Sequence, residues 1–170
     1  VDDLVSVLRA ARPEVVYTHN LADSHDTHVA VALRTIEALR RLPAADRPQR
    51  VYGAEVWRDL DWLVDDDKIV LDVSAHENLQ AALLGVFHSQ IAGGKRYDLA
   101  TLGRRRANAT YLASHAVDAG SGVTLALDLM PLVDDPALDV TAFVRAAIDR
   151  LENDVVARLQ RLQRAPLHSE

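Results

Sequence analysis

Four short apolar, β-branched runs alternate along this chain with stretches of helical periodicity, and that alternation limits the folds open to it. The runs are "EVVYTH", "RVYGAEVW", "KIVLDVS" and "VTLALDLMPLV", each of the length and composition of a buried strand. Ahead of the first, "VDDLVSVLRAARP" sets Leu4, Val5, Leu8 and Ala11 on one helical face and stops at Pro13. Between the first two runs, the loop "NLADS" leads into a helix from about residue 26 to 42. Val29, Ala32, Leu33, Ile36 and Leu39 form its stripe, and Pro43 ends it. "SAHE", residues 74–77, reads as a capping box opening the helix "ENLQAALLGVFHSQIA", which Gly93 and Gly94 close. Helices over about 98–114 and 140–162 complete the pattern. Strands alternating with helices predict an α/β layer structure with a largely parallel sheet, in which sites form at the carboxyl ends of strands.

Composition matters where it excludes function. The net charge of −6 argues against a general nucleic-acid binder. With no cysteine there is no disulfide and no thiolate metal site, the usage expected of a cytoplasmic protein. No apolar run of about 18 residues suggests a membrane span. Residues 1–163 read as one domain and 164–170 as a tail. The chain starts at Val1 already in helical pattern, so residue 1 is expected to be a cut inside a longer protein.

The loop after "EVVYTH" falls at a strand's carboxyl end and carries His25 and His28. With Asp23 or Ser24 as N-cap, both histidines enter the first helical turn, and their i, i+3 spacing puts both rings on one face. The positive end of the helix dipole favours the neutral imidazole, which is the metal-binding form, and also welcomes developing negative charge. An isolated H-x-x-H at a helix start is nevertheless more often a solvated polar turn, and a catalytic zinc needs three protein ligands. H-E-x-x-H is absent.

Three longer stretches carry a resemblance. "YTHNLADSHDTHVAVALRTIEAL", "VYGAEVWRDLDWL" and "SQIAGGKRYDLATLGRRRANATY" resemble the PIG-L (LmbE-like) family of zinc-dependent deacetylases, which remove acetyl groups from N-acetylglucosamine-containing molecules. The resemblance implies an α/β, Rossmann-like three-layer sandwich with a mostly parallel sheet, whose N-terminal part lies upstream of Val1. It implies His28 as a zinc ligand and His25 as the group that stabilises the oxyanion or assists leaving-group protonation. The family's Ala-His-Pro-Asp-Asp-Glu segment, source of two further ligands and the general base, is absent here, so this chain alone is expected to be inactive. Where the family often has His-Pro-Asp-His this chain has "HDTH"; Asp26 or Asp23 is the candidate to tune the first histidine in place of Thr27. The implied reaction is metal-assisted amide hydrolysis, in which zinc acidifies a water and polarises the acetyl carbonyl. The implied substrate is a small N-acetylated amino sugar or its conjugate.

Other residues have a chemical and a plain structural reading. Glu55 and Trp57, with Trp62, suit a sugar-stacking wall or, preferably, a hydrophobic lid over the sheet edge. Lys95 and Arg96 suit an anion on the substrate's far end or, preferably, a solvated helix C-cap. "GRRR", residues 103–106, reads as a solvated or subunit-contacting face, and a homo-oligomer stays open. His19 ends a buried strand near the site and suits a supporting partner behind the site's ligands or, preferably, a structural role; His76 belongs to the capping box, and His88, His115 and His168 lack context. The rival readings are a non-catalytic carbohydrate-binding or assembly module, and a metal-binding regulatory domain using His25, His28 and Asp23.

Overall fold

The computed structural model describes residues 1–113 and 115–164. Residue 114, the expected end of one helix, and residues 165–170, most of the expected tail, lie outside the described residues, as does His168. The elements follow the order α1 (Asp2–Ala11), β1 (Val15–His19), α2 (Asp26–Arg40), β2 (Arg50–Ala54), β3 (Ile69–Asp72), α3 (Glu77–Gly85), α4 (His88–Ala92), α5 (Tyr97–Tyr111), β4 (Val123–Asp128), α6 (Met130–Asp134) and α7 (Val140–Arg164). No helix among the described residues is long and apolar enough to cross a membrane.

The four strands form one mixed sheet in the order β1-β2-β4-β3. Only β1 and β2 pair in parallel, while β4 runs antiparallel to both of its neighbours. The expectation of a largely parallel sheet is therefore corrected. An apolar β-branched run marks burial but carries no direction; direction is set by where the connection returns the chain. The chain leaves β3 at its carboxyl end, builds α3, α4 and α5 there, and re-enters as β4 from that same end. The three helices thus gather above the carboxyl ends of β1 and β2.

Three other expectations shift locally. The helix expected from Glu77 onward breaks at Val86 and Phe87 into α3 and α4. The capping box is not formed: the N-cap of α3 is His76, without a side-chain bond. Ser74 instead accepts from the backbone N–H groups of Ser121 and Gly122 and donates to Asp72, sewing the end of β3 to the start of β4. The fourth apolar run ends as a strand at Asp128, and Met130–Asp134 turn into α6. The left-handed termination at Gly94 forms, with φ 94°.

The core follows from alternation along the strands. Val16, Val51, Leu125 and Leu127 share one sheet face by register and belong to a cluster with Ile36 and Leu39 of α2 and Leu132 and Val133 of α6. Arg47 fastens this layer by donating to the carbonyls of Leu42, Val133 and Arg40. The opposite face presents Tyr17, His19, Ala54 and Thr124, all of which line a cavity of about 980 Å³.

Gly53 is where β2 passes closest to its surroundings. A Cβ there would stand 3.0 Å from Leu129 Cδ1, 3.1 Å from the His19 carbonyl oxygen and 3.2 Å from Asn20 Cα. Two of those atoms are backbone and cannot rotate away. Gly53→Ala is expected to cost about 1–3 kcal/mol, read as a lowered thermal midpoint; an unchanged midpoint would show that the β1–β2 junction is looser than these distances require.

Candidate metal centre

Because β1 and β2 are parallel, their carboxyl ends lie side by side, and the polar residues that follow each strand face one another. The amide of Asn20 donates to the Ala54 carbonyl at 3.1 Å, prolonging the parallel ladder by a residue. Beyond it, the buried side chain of Glu55 collects three donors from both loops. Asn20 Nδ2 reaches Oε2 at 3.0 Å, and the backbone amides of Ser24 and Arg58 reach Oε1 at 3.3 and 3.0 Å. A buried carboxylate needs such donors, and these fix the path of the β1–α2 loop.

That loop delivers the histidines. Asp23 has a side chain 1% exposed; its Oδ1 accepts from the His25 amide at 2.8 Å and its Oδ2 lies 2.9 Å from His28 Nδ1. The N-cap of α2 is His25 itself, with extended φ −114° and ψ 117°, rather than Asp23 or Ser24. His28 alone of the pair therefore sits in the first helical turn. Its ring stacks on that of His19, with centroids 4.0 Å apart and planes within 4°, and on that of His25 at 4.7 Å. Burial, reinforced by His28, holds the His19 pKa below the ordinary histidine value, which keeps that ring neutral near pH 7.

His19, Asp23 and His28 each offer a donor atom, all within 4.8 Å of one another, and this group is able to hold a metal ion. Asp23 Oδ2, 2.9 Å from His28 Nδ1, also holds that ring in place within the group. His19 is the residue that sequence reading set aside as structural. The available signal was its place as the last residue of a strand, on the same carboxyl edge as the H-x-x-H loop.

The remaining expected residues divide. His25, His28, Glu55 and Trp57 line the cavity together, whereas Lys95 and Arg96 are not among its lining residues. Asp26 is exposed and also outside it. Glu55 holds backbone, as described. Arg96 forms two bonds to Asp98, at 2.9 and 2.6 Å, while Lys95 Nζ lies 5.4 Å from the centroid of Trp57 and 6.0 Å from that of Tyr97. Trp57 meets Tyr97 edge-on at 5.7 Å, so the two rings form one aromatic wall. The "GRRR" stretch is a solvated face only in part, with Gly103 and Arg106 exposed. Arg104 lines the cavity and donates to the Trp57 carbonyl at 2.9 Å, and Arg105 donates to Gln80. Leu84, Phe87 and Ile91 supply an apolar wall from α3 and α4.

No family model matches the chain, and no curated protein matches it. Among solved structures it is similar to the conserved protein TT1542 from Thermus thermophilus, at 19% identity with a TM-score of 0.51. The match covers 82% of this chain and 63% of that one, so this chain spans less than two thirds of its length. At that identity the likeness concerns the fold.

Two carboxylates in the loop after β2 behave differently under substitution. Glu55→Ala orphans three donors and is expected to cost at least about 2 kcal/mol and to weaken metal binding through the loss of loop order, both measurable by melting and calorimetry. Asp59 is buried, and burial raises its pKa; its Oδ1 accepts from the Leu60 amide, while Oδ2 has no hydrogen-bond partner among the described residues. Its ionisation is thus disfavoured in the fold, and the stability it allows at low pH is lost as pH rises through the raised value. Its φ of 61° suits asparagine. Asp59→Asn should raise the thermal midpoint near pH 7 and leave it unchanged near pH 3; an equal gain at both would assign the effect to packing.

Proposed function

We propose that this chain forms part of a zinc-dependent hydrolase that removes the acetyl group from an N-acetylated amino sugar or its conjugate. The observation that carries the reading is the His19, Asp23 and His28 group on the floor of a cavity large enough for a sugar conjugate. Two imidazoles and a carboxylate are a nitrogen–oxygen donor set suited to zinc. The chemistry a bound zinc supplies is polarisation of an amide carbonyl and acidification of a water.

The chain's own residues do the positioning. Asp23 accepts from the His25 amide and lies against His28 Nδ1, which fixes the loop and the His28 ring beside His19. His25, exposed at the N-cap of α2 and lining the cavity, is free to donate a hydrogen bond to the oxygen of the attacked carbonyl, an interaction worth about 3–4 kcal/mol. The aromatic wall of Trp57 and Tyr97 offers a stacking surface for a sugar ring. Glu55 and Asp98 are committed to donors within the chain, and Asp23 belongs to the metal-binding group itself. That supports a proton-accepting carboxylate contributed from outside these residues, as the family resemblance implies.

The presence of three donors within one loop and its flanking elements also favours a second reading, a metal-binding regulatory domain without turnover. The two separate on one comparison in the full-length protein: zinc content and acetate release from a panel of N-acetylglucosamine conjugates. His28→Ala is expected to lose zinc and acetate release together, and His25→Ala to keep zinc while turnover falls about a hundredfold or more. Normal zinc and turnover in His28→Ala would overturn the ligand assignment. Tight zinc binding with no acetate release from any conjugate would favour the regulatory reading.

A further inference from the structure

The longest helix leaves the core before it ends. α7 has 25 residues, about 37 Å at 1.5 Å per residue. Its first turns are anchored, with Val140, Phe143 and Val144 packed on the core and Ala147 buried within it. From Ile148 onward the same face continues, apolar but uncovered among the described residues. Ile148 is 47% exposed, Val155 40%, Leu159 54% and Leu162 60%, with Leu151 half-buried between them. These five residues recur at spacings of three and four, which confines them to one narrow stripe of the kind that seats against another helix.

The stripe is symmetric in sequence. Ile148 and Leu162 are equally distant from Val155, and so are Leu151 and Leu159. A second copy laid antiparallel, with the two-fold axis at Val155, therefore sets Ile148 against Leu162, Leu151 against Leu159, and Val155 against its twin. The charges agree with that direction. Residues 148–155 carry Asp149, Glu152 and Asp154, and their one arginine, Arg150, is paired with Asp67 at 2.6 Å. Asp154 is paired with Arg158 of the same helix at 2.6 Å, which leaves Asp149 and Glu152 to face a partner. Residues 156–164 carry Arg158, Arg161 and Arg164 and no acid. Antiparallel association brings the acidic half of each helix to the basic half of the other and opposes the helix dipoles favourably; parallel association stacks arginines on arginines.

We propose that α7 is the interface of a homodimer, in which the Ile148–Leu162 stripe packs antiparallel on the same stripe of a second copy of this chain. This is an isologous contact, closed by one two-fold axis. It is independent of the metal site.

The absence of cysteine makes the test direct, because any introduced thiol is the only one. Val155→Cys is expected to give a disulfide-linked dimer on mild oxidation. Ile148→Cys mixed with Leu162→Cys should cross-link to each other far more than either does to itself. Sedimentation of the unmodified chain should show a dimer at micromolar concentration. Leu159→Lys, at an exposed position, should weaken the dimer roughly tenfold or more with helical content and melting of the monomer retained. A monomer at all concentrations, with no cross-link at Val155→Cys, would overturn the proposal. Self-cross-linking of Ile148→Cys and Leu162→Cys at the expense of the mixed pair would overturn the antiparallel arrangement.

Discussion

The buried carboxylate of Glu55 is the constraint from which the rest of the site descends. Parallel pairing of β1 and β2 puts two loop starts next to each other, where backbone donors have no ladder to continue into. Glu55 answers the problem for both loops at once, accepting from Asn20 and Ser24 after β1 and from Arg58 after β2. Bonds to an ionised acceptor are each worth about 1.5–3 kcal/mol in a buried setting. Once the loop is pinned, Asp23 has one place to go. It receives the His25 amide and His28 Nδ1, and three imidazole rings are stacked in consequence. A chain of two carboxylates, one fixing the backbone and the next fixing a ring, converts strand geometry into side-chain geometry.

Strand direction does the complementary work from above. Had β4 entered from the far side, as in a fully parallel sheet, α3, α4 and α5 would have served as a crossover along a sheet face. With β4 antiparallel, the excursion begins and ends at the carboxyl edge. Leu84, Phe87 and Ile91 then form a wall facing His25 and His28, and Arg104 clips the Trp57 carbonyl to α5. The cavity is a product of topology more than of any single motif.

This explains which parts were readable from sequence. The strands at Val15–His19, Ile69–Asp72 and Val123–Asp128 and the helix at Asp26–Arg40 were legible because burial periodicity is a local signal. So was the pairing of His25 with His28 on one side of a helix start. What escaped was non-local. Asn20 and Glu55 are 35 residues apart, and neither reveals by itself that it is buried. Ser74 satisfies the capping-box spacing, yet the nearby Ser121 and Gly122 amides offered its hydroxyl stronger competition than a helix end did. "GRRR" looked solvated because a run of arginines usually is, whereas two of its guanidinium groups reach from α5 to Trp57 in the loop after β2 and to Gln80 of α3. Sheet direction was illegible for the same reason: it depends on where a long connection returns.

The distribution of polarity inside the cavity orients what can occupy it. Its floor holds the three imidazoles and Asp23, while its upper walls are Leu84, Phe87, Ile91 and the Trp57–Tyr97 pair. Desolvating a polar group against leucine and phenylalanine without a partner costs on the order of 1–3 kcal/mol, whereas the floor supplies donors and acceptors. Polar groups of an occupant are therefore favoured at the floor and a less polar face along the α3–α4 wall. The aromatic pair, with a lysine ammonium over both rings, adds a flat apolar surface with a cation at its edge. Two arginines of this region hold the protein itself. Arg96 and Arg104 are bound to Asp98 and Trp57, so the walls are set before any ligand arrives.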